Sequence, residues 1–115
     1  MESILTSIKK MLGIEAEYTH FDTDITIHIN SALVTLNQLG VGPKAIASIS
    51  SAVDTWTDTL GQVNSVEMVK TYIYLKVRMT FDPPTSSFVL DALKRQADEL
   101  EWRLRLQSEL EASEG

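Results

Sequence analysis

Two histidines and two aspartates fall within nine residues, at His20, Asp22, Asp24 and His28, and no other grouping in the chain has a better combination of types and spacing for holding a divalent metal. Asp24 and His28 stand one helical turn apart and would face the same point on a helix. Yet His28 falls beside the apolar face of that helix, where a hydrogen-bonded boundary histidine is the ordinary outcome, and His20 sits in a polar connector. No metal or other cofactor is expected. With no cysteine in the chain, thiol nucleophiles and thiolate metal sites are excluded, and a serine triad would have to recruit His20 or His28 without a nucleophile elbow. The glycines, at 13, 40, 42, 61 and 115, are too scattered for a phosphate-binding loop or a dinucleotide fingerprint. Glu99 and Glu101 point to different sides of a helix that also carries arginines, so they read as a solvated face and not as an acid-base pair. An enzyme is not expected.

The whole chain sets the frame for these residues. Its 115 residues fit one domain, 1–115, and 43% hydrophobic with 23% charged is a globular composition. Ten basic residues against 16 acidic give a net charge of -6, which disfavours binding driven by phosphate neutralisation. Positive charge is densest between Asn64 and Ala97, where five basic residues meet three acidic; that excess is too small and dispersed for a nucleic-acid patch. No apolar run reaches the roughly 18 to 20 residues of a membrane span, and the amino terminus lacks a signal-peptide pattern, so a soluble protein made in the cytoplasm, without a membrane partner, is expected.

Periodicity predicts an all-α fold: a small bundle of about four helices, with an irregular excursion between the second and third and a long C-terminal helix. In the first, Ile4, Leu5, Ile8, Met11 and Leu12 share about 120° of arc, Ser7, Lys9 and Lys10 lie outside it, and Gly13 is the stop. The second, capped by Asp22 or Thr23, places Ile25, Ile29, Ala32, Leu33, Leu36 and Leu39 on one face and ends at Gly40, Gly42 and Pro43. Residues 41–63 have poor periodicity but are too apolar for a disordered linker, which implies an ordered excursion with a short strand pair or a helical turn. Asn64 to Glu67 has the form of a capping box, and the helix it opens carries an apolar arc of roughly 200° from Val66 to Met79. That width makes it the central helix. Lys76 falls inside the arc, its ammonium bound for water or a carboxylate. Asp82-Pro83-Pro84 ends it.

The last helix is read from Ser86 or Ser87 to about Glu111 and has two apolar edges. Val89, Leu90, Leu93, Ala97, Leu100 and Leu104 form the stripe that meets the bundle; Phe88, Trp102, Leu106 and Leu110 lie almost opposite. Between them run charge ladders, Asp91 to Arg95 to Glu99 to Arg103 and Glu101 to Arg105 to Glu109. The second edge is either covered by another segment of the chain, such as 41–63, or offered to a partner or a neighbouring copy. Trp56 and Leu60 in the excursion are open to the same two readings. The candidate interface is therefore Trp56, Leu60, Phe88, Trp102, Leu106 and Leu110.

Several segments together resemble one family. Ile4 to Ile14, Ile29 to Ala32, Leu36 to Gly42, Val69 to Arg78 running into Phe81-Asp82-Pro83-Pro84, and Leu100 to Leu104 are similar to the small head-tail connector, or adaptor, proteins of long-tailed bacteriophages and prophages. The helix leading into Phe-Asp-Pro-Pro is the most specific part. The resemblance implies a structural virion protein of the neck, assembled in the host cytoplasm. It implies a ring of copies of itself, a dodecamer when assembled, below the portal protein, and a docking surface for the next head-completion or tail-joining protein. DNA would pass through the ring's channel without specific binding. The family has no catalytic residues to transfer. The alternative is a small acidic helical adaptor or regulator that binds one protein partner through its C-terminal helix.

Overall fold

The computed structural model describes residues 3–42, 48–50, 52–61 and 65–114. Five helices appear among them, with no strand and one isolated bridge, between Ser3 and Thr55. The fold is the small all-α bundle that the periodicity predicts, and the fifth helix is the turn inside the excursion.

Helix α1, Ile4–Met11, is capped by Ser3, whose Oγ accepts from the Thr6 amide at 3.0 Å. It closes through Gly13 in the left-handed region, where the Ile14 amide returns to the Lys9 carbonyl at 2.8 Å. Helix α2, Asp22–Gln38, follows Phe21, which provides no side-chain cap, so neither Asp22 nor Thr23 is the cap. At its far end Gly40 and Val41 form a Schellman motif, the Val41 amide bonding the Leu36 carbonyl at 2.9 Å. The short α3, Trp56–Leu60, is capped by Thr55, whose Oγ1 accepts from the Asp58 amide. Helix α4, Val66–Phe81, starts after Ser65. The capping residue expected there, Asn64, lies outside the described residues. Helix α5, Ser87–Glu114, runs 28 residues, about 42 Å.

Helices α2 and α5 flank α4 and barely touch each other, while α1 lies across α2 and α4. This row, with α1 behind it, makes a slab of 43 × 35 × 19 Å. Its length is that of α5, its width that of three helices side by side, and its thickness that of two layers. Phe21, just before α2, stacks edge-on against Phe81 at the end of α4, with ring centroids 5.3 Å apart. At the opposite end Ser108 of α5 donates to the Gly40 carbonyl at 3.0 Å. So α2 and α5 run parallel to each other and antiparallel to α4.

The core is built from the predicted faces: Ile4, Leu5 and Ile8 from α1, Ile25, Ile29, Leu33 and Leu36 from α2, and Val69, Tyr72, Ile73 and Val77 from α4. On α5 only Ala97 and Leu104 are fully buried; Leu93 and Leu100 pack partially, and Val89 is exposed where the helix starts beyond the end of α4.

Among the described residues the excursion is held by one backbone bridge, with the Ile4 amide bonding the Asp54 carbonyl at 3.0 Å, and by side chains. Asn30 of α2 bonds the backbone of Ile49 in both directions, its Oδ1 accepting at 2.7 Å and its Nδ2 donating at 3.0 Å. Lys9, placed outside the apolar arc of α1 by the sequence, is in fact buried, with 2% exposure. Its ammonium donates to the carbonyls of Ala16 and Tyr18 at 3.0 and 2.7 Å and pairs with Asp22 at 2.8 Å, filling its donor capacity with three oxygens. One cation thereby fixes the connector between α1 and α2.

Candidate assembly surface

The six candidate interface residues separate into two groups. Trp56 and Leu60 are buried, each with 4% exposure, and the Trp56 indole N–H donates to Ser7 Oγ at 3.0 Å. Both side chains are buried within this chain: the Trp56 indole seats α3 against α1, and Leu60 lies beside Gly42. The physical reason is that one helical turn puts Trp56 and Leu60, four residues apart, on one inward face and leaves Thr57 and Asp58 to the solvent. Lys70 sits over the Trp56 ring at 5.5 Å and closes the outer side of that contact.

Phe88, Trp102, Leu106 and Leu110 are exposed, Phe88 at 76% and Trp102 at 56%. No part of the described chain folds over them, so the intrachain cover that the sequence left open is absent among the described residues. The inner side of α5 is held by polar ties as well as by Ala97 and Leu104. Tyr72 of α4 donates its hydroxyl to Glu101 at 2.7 Å, and Lys76 brings its ammonium to 4.0 Å from the same carboxylate. Burial first, and then the bond to Glu101, pushes the Tyr72 hydroxyl well above the usual tyrosine pKa. Glu101 therefore leaves the surface ladder in which the sequence placed it. Of the other ladder, the Glu99 to Arg103 pair forms, at 3.4 Å. Ser65, just before α4, bonds Gln107. These ties fix the rotation of α5, and hence keep the Trp102 edge turned outward.

Sequence reasoning missed a second apolar edge. Ile27 and Val34 of α2 are exposed, on the side of that helix away from its core face. Along α2 the sole charged residues are Asp22 and Asp24, both in the first turn. The outer face beyond is Ile27, Ser31, Val34 and Gln38, all exposed and all uncharged. That lack of Lys, Arg and Glu over four turns was the available signal, since a solvated helix face usually carries charge.

The residues weighed for metal chemistry do not converge. Asp22 is committed to Lys9, the His20 ring packs at 4.7 Å on Phe21, and His28 lies 6.4 Å from Phe81. Among the described residues no group of three or more His, Asp or Glu is placed to share an ion.

A family model described as phage connector protein matches residues 4–111. The chain belongs to the phage connector protein family. That match takes in α1 to α4 whole and α5 as far as Glu111, and it makes the protein a structural phage protein. No curated protein and no solved structure matches the connector. No described helix of the connector is long and apolar enough to cross a membrane.

Proposed function

We propose that this connector is a head-tail adaptor of the phage neck, assembling as a closed ring below the portal protein, extending the DNA channel and offering its far face to the next head-completion or tail-joining protein. The observation that supports this reading best is that, among the described residues, this family member has apolar side chains exposed on two separate helices, α2 and α5. A cyclic ring requires two different patches on each subunit, because its contacts are head-to-tail. The net charge of -6 suits a conduit: an acidic wall lets DNA slide past without gripping phosphate.

Light scattering and negative-stain imaging of the purified protein, alone and mixed with portal, test the proposal. Closed oligomers with a central hole are expected in at least the portal mixture. Saturation at one or two copies per partner in both cases would instead support the single-partner adaptor.

A further inference from the structure

From the parallel run of α2 and α5 along opposite edges of the slab, we infer that the Trp102 edge of α5 in one copy seats on the uncharged outer face of α2 in the next, in a register that a single chain already displays. This rests on the ring reading above and adds to it which faces meet and at what height.

Symmetry sets the heights at which neighbours meet. If the ring axis runs along the helices, rotation about it preserves both direction and height, so residues level with each other inside one chain remain level across a contact between neighbours. The bond from Ser108 to the Gly40 carbonyl marks one level. Counting back in step along two parallel helices puts Gln38 level with Leu106, Val34 with Trp102 and Ile27 with Arg95, to within a turn. The indole then lies over the exposed Ser31, Val34 and Gln38.

Charge agrees with this arrangement. Beyond its first turn the receiving face of α2 has no charge to be stripped of water, and Asp24, its one exposed acid, comes within a turn of Arg95. A two-fold pairing of α5 with α5 would leave the α2 face uncovered. Area agrees as well. Trp102, Leu106 and Leu110 together leave roughly 300 Å² open, against about 800 Å² per partner for a stable pair. One such contact does not hold a dimer, but a closed ring gives every copy two.

The absence of native cysteine makes the test clean. The variants Gln38→Cys and Leu106→Cys are prepared separately and together, assembled alone or on portal, and treated with a short bismaleimide. The double variant should yield a ladder of covalent oligomers, a mixture of the two single variants should yield one-to-one dimers across the contact, and neither single variant should link to itself. A Gln38→Cys/Phe88→Cys control, whose positions lie about 27 Å apart in height, should give at least tenfold less product. Self-linking of Leu106→Cys, or closed oligomers without the Gln38 to Leu106 product, would overturn the edge pairing and leave the ring reading standing. Failure of the unmodified protein to close into an oligomer under either condition would overturn the ring reading and this inference with it.

Discussion

At the scale of single residues, two polar side chains stand out for the work they do inside a mostly apolar core. Lys9 holds two carbonyls and one carboxylate from within, and its replacement by Met leaves those oxygens to find water at a half-open connector. A loss of about 2 kcal/mol is expected in urea denaturation, below the cost for a fully buried pair because Asp22 is partly solvated. Tyr72 gives a pH signature. Its folded pKa lies above the ordinary value of 10.0, so above that pH the unfolded chain releases a proton that the folded chain retains. Stability should therefore be undiminished below pH 10 on this account and fall above it, by up to about 1.4 kcal/mol per pH unit for one proton. Tyr72→Phe should lose about 1 to 2 kcal/mol at neutral pH and show a flatter decline in alkali than the parent protein.

Helix ends and seats decide matters at the next scale. Gly13 and Gly40 both adopt the left-handed conformation that closes a helix, but a Cβ at Gly13 meets open space whereas one at Gly40 collides with the Ser108 side chain. Gly13→Ala is expected to cost about 1 kcal/mol for conformation alone, and Gly40→Ala about 2 kcal/mol or more because the α2 to α5 tie must also give way. Thermal melts of the two variants side by side measure the difference. The fate of residues 41–63 also belongs to this scale. The described part of that stretch is held by Asn30, by the bridge of Ser3 to Thr55 and by the indole bond to Ser7. None of these contacts has a repeat that a sequence could display.

The molecule as a whole is a slab with exposed apolar side chains on its two flanking helices, Ile27 and Val34 on α2 and Phe88, Trp102, Leu106 and Leu110 on α5. Trp102→Ala should change the melting temperature by no more than a few degrees, since the side chain is more than half exposed, yet reduce ring formation at least tenfold in sedimentation or light scattering. Trp56→Ala should do the reverse, destabilising the fold by about 3 to 5 kcal/mol before assembly can be assessed. The contrast between two tryptophans of one chain separates core from edge.

The amino-acid sequence alone determined the helices and their inward faces, because burial imposes a 3.6-residue period that survives in the order of residues. It also fixed the stops at Gly13, Gly40 and Pro83, which follow from backbone sterics. The outward edge of α5 was legible too, as a second stripe opposite the first. Tertiary structure decided what no local pattern encodes: that Trp56 and Leu60 turn inward, that Lys9 is buried, that Glu101 leaves its ladder for Tyr72, and that α2 carries an edge of its own. Each depends on which distant group arrives to meet the side chain. An isolated tryptophan or lysine reads the same in sequence whether or not Ser7 or three oxygens await it, and only the packed fold supplies them.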